Sequence, residues 1–489
     1  MSKRLLCFLP VLVLALTACT KDERIPAGMV VVNARVIDGS GGPSQRVNVR
    51  IVNDRIAAIG EISPLPDDVI VDANGLALAP GFIDVHSHHD YGLLEDLDAL
   101  AVVSQGVTTI VGGQDGGQQY PLTEYFAALE ASPPAINVAS FAGHGVLRGL
   151  VMGDDYKRPA TADELSAMSE LLQVEMTAGA IGLSTGLEYD PGSFSEPQEV
   201  VELAKVVASN GGMYLSHIRS EDQYFWEAVD EVINIGREAE LPVQVTHIKL
   251  AMTRWWGRAE ELIAKLDEAR ESGVNITADV YPYRAWTTSF SWLTTLFPDR
   301  DLDRRDGAEY VLNDMLSPEG ILVASYVPEP AYSGMTVAEI AKILETDPET
   351  ALMDLLKAEM AGGANGSGSQ MLGFAMDEPD IEYIMAWPHT VIGSDGMLAG
   401  VHPRGYGAFT RYLGHYIRDR EVLSIEEGVR RITSLAAEQI GIKNRGSIEV
   451  GQFADLVLFD PTIVADRSTP VSPHVPSAGI EKVWVNGEL

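Results

Sequence analysis

The stretch "LAPGFIDVHSHHD", residues 78–90, joins an apolar run to a cluster of histidines. The apolar run is typical of a buried strand, and three of the chain's ten histidines follow it within four positions. Because side chains two apart in a strand point to the same side, His86 and His88 share one face, and Asp84 lies one step deeper. This spacing allows two imidazoles to reach one metal ion, although solvent-facing loop histidines are the alternative at this point.

Seven further apolar runs follow, and helical segments such as "EPQEVVELAKVVASNGG" and "RAEELIAKLDEARESG" separate most of them. Both of these segments close with glycine, which favours a helix end. Eight strands alternating with helices predict an α/β fold, a (β/α)8 TIM-type barrel over residues 81–442. The eight runs are "GFIDVHSH", "VTTIVGG", "INVASFAGHG", "IGLSTG", "GMYLSHI", "PVQVTHI", "NITADVYPY" and "TVIGSDG".

Two features interrupt or flank this pattern. A long insertion at about 284–389 separates the seventh run from the eighth, and it contains helical pieces ("TVAEIAKILE", "PETALMDLLKAEMAGG") and a flexible stretch, "GGANGSGS". An insertion of this length is usually a lid or a binding element. Residues 20–80 and 443–489 carry β-branched runs broken by Gly, Asn and Asp, so we expect both to contribute to one small β domain.

The charge balance narrows the class of partner. The chain has 35 basic and 70 acidic residues, a net charge of −35, and no basic run interrupts the negative excess. Such a surface repels nucleic-acid phosphates and anionic lipids. We therefore expect a small-molecule partner and no nucleic acid.

The first residues, "MSKRLLCFLPVLVLALTAC", combine a basic start with an apolar segment too short to span a bilayer, which predicts a signal peptide over residues 1–19. "LTAC" is similar to a bacterial lipobox, so we expect a periplasmic protein that contacts the membrane only through a lipid anchor at Cys19; an ordinary signal with a chance cysteine is the alternative. The other cysteine, Cys7, lies inside this segment. The processed chain would therefore have no disulfide, thiolate ligand or cysteine nucleophile.

Polar residues stand at the ends of four more predicted strands. Asp115 follows "VTTIVGGQ", His217 follows "GMYLS", His247 follows "PVQVT" and Asp395 follows "TVIGS". Since the strands of a parallel barrel place their carboxyl ends around one rim, these residues should converge with the histidines of the first strand. Imidazole and carboxylate ligands suit zinc, so the sequence predicts a zinc site.

These residues lie in stretches that resemble the amidohydrolase superfamily, and within it the D-aminoacylase (N-acyl-D-amino-acid deacylase) group. The resemblance covers nearly the whole chain after the signal segment and implies a barrel flanked by a small β domain. It also implies four histidine metal ligands and one catalytic aspartate acid/base, namely His86, His88, His217, His247 and Asp395. Among the matching stretches are "PGFIDVHSHHD", "GAIGLSTGLEYDPGS", "GGMYLSHIRSE", "VQVTHIK", "IGSDG" and "HPRGYGAFTRYLGHYIR".

The chain departs from this group at one ligand. D-aminoacylases typically carry a cysteine ligand after the second strand, where this chain has Asp115 in "GGQDGG". Many other amidohydrolases bridge two metals with a carboxylated lysine of the fourth strand, but "AIGLSTGLEY" contains no lysine. Asp115 is therefore the best candidate for a bridge, and whether one or two zinc ions bind stays open.

The resemblance implies hydrolysis of the amide bond of N-acyl amino acids, with N-acyl-D-amino acids expected first. Zinc would activate a water molecule, and Asp395 would transfer the proton to the leaving amine. Lys249, two residues after His247 on the same face, is placed to meet a substrate carboxylate. The remaining substrate-contact candidates, for which packing is the alternative, are Tyr189, Tyr281, Tyr283, Arg219, His144, His402 and Arg404.

Three other functions compete with this interpretation. A metal-dependent dipeptidase or cyclic amidase would use the same residues with a different pocket. A non-catalytic solute-binding lipoprotein would suit an exported acidic chain, but it has no need of Asp395. "GLSTG", residues 182–186, matches the G-x-S-x-G motif of serine hydrolases, yet "LEYDPGSFSEP" follows it where that motif requires a helix.

Overall fold

The computed structural model of the chain describes residues 27–363 and 366–489. The predicted signal segment 1–19 and the predicted lipid anchor at Cys19 lie outside the described residues. Within the described ranges, no helix combines the length and the apolar character that crossing a bilayer requires.

Nine parallel strands form two sheets in the described part of the chain, and every residue of these strands is buried except in Asn137–Ser140, which is mostly half-buried. They form a three-stranded sheet in the order β3-β2-β1 and a six-stranded sheet in the order β4-β5-β6-β7-β8-β9. Burial on both faces explains why these segments are rich in apolar residues. The strands are β1 (Phe82–Asp84), β2 (Val107–Gly112), β3 (Asn137–Ser140), β4 (Ala142–Gly143), β5 (Gly182–Gly186), β6 (Met213–His217), β7 (Val243–Val245), β8 (Ile276–Val280) and β9 (Thr390–Ile392).

Each of the eight predicted runs contains at least one of these strands. The third run contains two, because the chain changes from β3 to β4 at Phe141 and so passes from one sheet to the other. The outer strands of the two sheets meet just after β1 and β9. There Ser87 and Gly396 form a parallel bridge, and the Asp395 amide donates a hydrogen bond of 2.8 Å to the His86 carbonyl.

A buried carboxylate strengthens this junction between β1 and β9. Asp84 accepts hydrogen bonds from both the amide (2.8 Å) and the hydroxyl (2.6 Å) of Ser394. Burial raises the pKa of Asp84 to about 6, although the bonds from Ser394 lower it. The first and last parallel strands are therefore tied together next to the predicted metal ligands His86 and Asp395.

Amphipathic helices connect and cover the parallel strands. In α6 the buried residues Phe225, Val229, Val232 and Gly236 recur with helical spacing. In α4 the Thr161 side chain and Glu164 form a reciprocal capping box. The helices are α1 (Leu100–Val103), α2 (Leu122–Ala131), α3 (His144–Met152), α4 (Ala162–Ala178), α5 (Pro197–Ser209), α6 (Phe225–Ala239), α7 (Ala259–Glu271), α8 (Arg305–Tyr310), α9 (Val337–Ile343), α10 (Pro348–Met360), α11 (Glu378–Ala386), α12 (Arg404–Arg411), α13 (Ile425–Arg431) and α14 (Ser434–Ile440).

Two further sheets are built from strands near the two ends of the described chain, within residues 29–80 and 456–484. One five-stranded sheet combines strands from both regions, in the order Ile480–Trp484, Leu456–Phe459, Ala77–Pro80, Arg35–Val36 and Gln45–Arg46. The other has the order Arg55–Gly60, Asn48–Val52, Met29–Val32 and Val69–Asp72. Side chains from both sheets, among them Ile51, Leu456 and Trp484, share one apolar cluster. The division of the chain into domains stays a prediction.

The insertion between β8 and β9 contains a sheet that the sequence analysis missed. Helices α9 and α10 fall within the two predicted helical pieces, but four antiparallel strands accompany them. These strands pair Trp286–Ser289 with Gln370–Gly373, Gln370–Gly373 with Ile321–Ser325, and Ile321–Ser325 with Met335–Thr336. The insertion also has a hydrophobic cluster of its own, which includes Phe290, Val323, Leu352 and Met371.

Glu359, at the end of α10, holds the segment that leads into the strand at Gln370. Its buried Oε1 accepts hydrogen bonds from the amides of Ser367 (2.9 Å), Gly368 (3.1 Å) and Ser369 (3.1 Å). Its Oε2 accepts hydrogen bonds from the hydroxyls of Ser367 and Ser369. Burial alone would raise the pKa of Glu359, but these hydrogen bonds outweigh it and lower the pKa from its usual 4.5.

We expect Glu359→Ala to lower the free energy of unfolding by about 3 kcal/mol, because buried donors lose a charged acceptor. Since the pKa is lowered in the folded state, this stabilisation is present above pH 4.5 and is lost as the pH falls below that value. Urea denaturation at two pH values measures both effects. Glu319→Ala, at an exposed position of the same insertion, is the control and should change stability by less than about 0.5 kcal/mol. Equal losses in the two variants would contradict this account.

Candidate active site

The six residues predicted as metal ligands lie together beyond the carboxyl ends of β1, β2, β6, β7 and β9. They form two groups, and within each group the candidate ligand atoms all lie within 4.8 Å of one another. His86, His88, Asp115 and Asp395 make the first group, and Asp115, His217 and His247 make the second. Asp115 belongs to both, so one carboxylate can bridge two ions.

The distances between these atoms fit a shared ion. Two ligands at about 2.1 Å from a tetrahedral centre are about 3.4 Å apart. His86 Nε2 lies 3.6 Å from Asp115 Oδ1, and His88 Nε2 lies 3.2 Å from Asp115 Oδ2 and 3.3 Å from Asp395 Oδ1. In the second group, His247 Nε2 lies 3.5 Å from Asp115 Oδ1 and 2.9 Å from His217 Nδ1.

Buried polar atoms in the first group also point to a metal. His86 Nδ1 and Nε2 and Asp115 Oδ1 have no hydrogen-bond partner within the described part of the chain. A buried nitrogen or oxygen without a partner is costly, and it commonly indicates a bound ion or water. Four histidines and two carboxylates also have the donor chemistry that suits zinc. The residues present therefore fit the predicted metal.

Three of the ligands have an unusual backbone conformation. The φ angles of Asp115, His247 and Asp395 are 54°, 36° and 50°, in the left-handed region that residues other than glycine rarely adopt. Each of them stands where the chain leaves a parallel strand. Such strained residues concentrate at functional sites, where the surrounding structure holds them in place.

The electrostatics of the site favour positive charge between the carboxylates. Burial alone would lower the pKa of His88, but contacts with Asp115 and Asp395 outweigh it and raise the pKa to about 10. Burial alone would raise the pKa of Asp395, but the Arg404 guanidinium, 2.7 Å away, and His88 hold it well below its usual range. Because metal binding displaces protons from ligands, a divalent cation can occupy this negative field in place of the protons.

A cavity of about 300 Å³ opens above the ligands. Four of the predicted substrate-contact residues line it: Tyr189, Lys249, Tyr281 and Arg404. The insertion also contributes to the cavity lining, through Trp286, Thr287, Thr288, Trp292, Met315 and Gln370. The expectation of a binding element in the insertion therefore agrees with its position against the cavity.

Four predicted substrate contacts, His144, Arg219, Tyr283 and His402, do not line this cavity, and their role in substrate binding stays a prediction. His144 is buried at the start of α3, where its Nε2 lies 2.8 Å from Glu199. Arg219 forms two hydrogen bonds of 2.8 Å to Glu231. The Tyr283 hydroxyl donates to Asp466. These three side chains have partners elsewhere in the structure.

His402 and Ser184 also have hydrogen-bond partners within the fold. His402 Nε2 is paired with the Ala285 carbonyl at 2.9 Å. Ser184, the serine of "GLSTG", is fully buried inside β5, and its hydroxyl oxygen accepts a hydrogen bond from the Gly116 amide. A nucleophilic serine requires an exposed turn between strand and helix. The serine-hydrolase alternative therefore has no support from this geometry.

Comparison with known proteins identifies the family of the chain. Residues 69–304 and 337–489 match the Amidohydrolase family. The chain belongs to the amidohydrolase family. It is 38% identical to the N-acyl-D-glutamate deacylase of Alcaligenes xylosoxydans xylosoxydans over 94% of this chain and 92% of the relative.

Solved structures of similar proteins match this amidohydrolase over nearly its full length. The N-acyl-D-glutamate deacylase of Bordetella bronchiseptica, complexed with zinc and a phosphonate mimic of the tetrahedral intermediate, has a TM-score of 0.82 and 36% identity, with 94% of this chain and 96% of that chain covered. A D-aminoacylase with a binuclear metal centre has a TM-score of 0.80 and 33% identity, with 95% and 96% covered.

Two carboxylates beside the ligands of this amidohydrolase were missed in the sequence. Glu188 Oε2 lies 2.9 Å from His217 Nε2, and Glu221 Oε1 lies 3.1 Å from His247 Nδ1. Carboxylates that bind the second nitrogen of a metal-ligating histidine fix its orientation and raise its basicity. Their positions just after β5 and β6, in "GLEY" and "HIRSE", were the available signal.

We expect Asp115→Ala to weaken zinc binding at both groups by more than about 10-fold, because a lost ligand costs at least as much as a lost orienting partner. His88→Ala should weaken only the first group, so the variant keeps the ion held by His217 and His247. Elemental analysis after dialysis against graded chelator measures the zinc retained. His474→Ala, an exposed histidine away from the cavity, is the control. Identical zinc loss in Asp115→Ala and His88→Ala would contradict a shared carboxylate.

Proposed function

We propose that this protein is a zinc-dependent hydrolase that cleaves the amide bond of N-acyl amino acids, with N-acyl-D-amino acids as the first substrate class. The observation that carries the proposal is that two groups of candidate metal ligands share Asp115. Ligands from both groups line one cavity, which is also lined by Asp395, Lys249 and Arg404. The N-acyl-D-glutamate deacylase and the D-aminoacylase, both similar over nearly the full chain, support the substrate class.

The residues that would hold zinc are the two histidine-carboxylate groups joined by Asp115. Zinc bound there would lower the pKa of a water molecule to about 7 and polarise the substrate carbonyl. Glu188 contacts Nε2 of His217, and Glu221 contacts Nδ1 of His247. Each glutamate would thereby fix the orientation of its histidine. The aspartate in place of a thiolate offers a harder donor, which favours harder cations than a cysteine does.

Asp395 is the residue placed to move the proton. It lies beside His88 at the carboxyl end of β9, lines the cavity and stays ionised because Arg404 holds its pKa low. As general base it accepts a proton from the attacking water, and as general acid it donates that proton to the nitrogen of the scissile amide. The products are a carboxylate and a free amino acid.

Lys249, Arg404 and Tyr281 are placed to hold the α-carboxylate of the substrate. Lys249 Nζ lies 5.7 Å from the centre of the Tyr281 ring, and the Arg404 guanidinium lies 4.8 Å from it. Both cations are buried against the cavity, where a charged hydrogen bond is stronger than in water. Anchoring the carboxylate there fixes the amide of the same substrate relative to Asp395.

The test is a hydrolysis panel of N-acetyl-D-amino acids, N-acetyl-L-amino acids, dipeptides and cyclic amides with the zinc-loaded protein. We expect turnover of the D series, and a fall in kcat of about 10²–10⁴-fold in Asp395→Asn. Asp67→Asn, at an exposed position, is the control and should keep full activity. Turnover confined to dipeptides or cyclic amides would favour those enzymes of the same superfamily, and saturable binding without turnover would favour a solute-binding protein.

We also propose that β1–β9 belong to one (β/α)8 barrel, with β3 and β4 as one interrupted strand, and that the sheets at both chain ends form one small β domain. The Ser87–Gly396 bridge supports closure between β1 and β9. The five-stranded sheet with strands from residues 35–80 and 456–484 supports the small domain.

A further proposal concerns localisation: residues 1–19 direct export to the periplasm, and Cys19 carries a lipid anchor. The support is the basic start, the short apolar segment and the lipobox-like "LTAC". In a bacterial host, the unaltered protein should incorporate labelled palmitate and sediment with membranes, whereas Cys19→Ser should do neither. Soluble, unlabelled unaltered protein would contradict the anchor.

A further inference from the structure

The distribution of charge in the cavity indicates which amino acid it accepts. Among the described residues that line the cavity, the only lysine or arginine side chains are Lys249 and Arg404. Both lie beside one ring, that of Tyr281, at 5.7 Å and 4.8 Å from its centre. The positive charge is therefore concentrated at one place, which suits one carboxylate.

These two cations are already balanced by acidic side chains. Lys249 forms an ion pair with Glu221, and Arg404 lies 2.7 Å from Asp395. Among the described residues, five carboxylates line the cavity: Asp115 and Asp395, which belong to the predicted metal ligands, and Glu188, Glu221 and Asp222. A second substrate carboxylate would have to lose its water near Glu188 and Asp222, with neither lysine nor arginine left unpaired among the described lining residues to receive it, which is unfavourable.

The wall that the insertion contributes is neutral. It consists of Trp286, Thr287, Thr288, Trp292, Met315 and Gln370. The two tryptophan rings meet edge to face, with 5.7 Å between their centres, and offer a large apolar surface. The strands Trp286–Ser289 and Gln370–Gly373 pair antiparallel, so the backbone of this part of the wall belongs to a folded element.

The basic side chains of the insertion lie elsewhere. Among the described residues, none of its lysines or arginines lines the cavity. Arg304 is paired with Asp306, Arg305 with Glu349 at 3.2 Å, and Lys357 with Asp303 at 2.7 Å. These pairs are partly exposed and leave the cavity wall uncharged.

We infer that the cavity selects N-acyl amino acids with an uncharged, largely apolar side chain and rejects those with an acidic side chain. This inference rests on the proposed function and deepens it. It separates this chain from the relative named N-acyl-D-glutamate deacylase, to which it is 38% identical. The α-carboxylate takes the Lys249 and Arg404 position, and the insertion-lined wall receives the uncharged remainder of the substrate.

The experiment compares kcat/KM for N-acetyl-D-glutamine and N-acetyl-D-glutamate, which have nearly the same shape and differ in charge. N-acetyl-D-leucine, N-acetyl-D-tryptophan and N-acetyl-D-lysine complete the series. We expect glutamine to exceed glutamate by about 100-fold or more, and leucine and tryptophan to exceed both, because the wall is apolar. Equal values for glutamine and glutamate would overturn the inference, and so would a preference for lysine, which would mean that Glu188 and Asp222 select a cation.

A second variant pair tests the neutral wall directly. Gln370→Arg adds a cation to the part of the cavity lining that the insertion contributes, and Gln370→Met has similar length without charge. We expect Gln370→Arg to raise kcat/KM for N-acetyl-D-glutamate by about 10-fold or more and Gln370→Met to leave it low, since one well-placed ion pair is worth about this factor. No gain in a folded, zinc-loaded Gln370→Arg protein would count against the wall as the selective element.

These measurements separate the inference from the proposed function. If no N-acyl amino acid is hydrolysed by the zinc-loaded protein, the proposed function fails. If the D series is hydrolysed but acidic and neutral members react equally well, the function stands and the inference fails.

Discussion

The shared carboxylate of Asp115 is the constraint on which the site depends. Its two oxygens lie 3.2–3.6 Å from nitrogens of His86, His88 and His247, which come from two distant regions of the chain. A buried carboxylate among imidazoles holds this arrangement only when positive charge is present between them, as protons or as a metal. The left-handed backbone at Asp115 aims the side chain at that point.

The parallel strands supply the precision that this constraint requires. A ligand misplaced by about 1 Å weakens a metal site and the chemistry at it. Here the ligands leave completely buried strands, and Asp84 ties β1 to the segment after β9 through Ser394. Glu188 and Glu221 then fix the histidines of the second group. The buried strands thus position the candidate ligands, and hydrogen bonds then fix the orientation of their side chains.

Much of the ligand set could be predicted from the sequence because strand ends obey a simple rule. His217, His247 and Asp395 each follow an apolar run, and parallel strands bring such positions to one rim. His144 also follows such a run, but it begins α3 and turns to Glu199, which spacing alone does not reveal. The sequence already argued against a nucleophilic serine in "GLSTG", and Ser184 indeed lies within a strand instead of at its end.

The insertion was harder to predict because its order comes from distant partners. Trp286–Ser289 and Gln370–Gly373 are four residues each and pair across more than eighty positions, so neither segment has a strong local pattern. "GGANGSGS" reads as a flexible stretch, yet Glu359 binds its Ser367, Gly368 and Ser369. The buried Glu359 side chain thus fixes residues 367–369, which the composition of the stretch could not predict.

The separate hydrophobic cluster of the insertion has an evolutionary consequence. Phe290, Val323, Leu352 and Met371 pack with one another, while the ligand-bearing strands have a core of their own. Substitutions at wall residues that pack only against this cluster, such as Trp292 and Met315, therefore need not disturb the main core, whereas Trp286 packs against both clusters. During evolution, substrate specificity can therefore change through substitutions in the insertion while the catalytic residues stay the same.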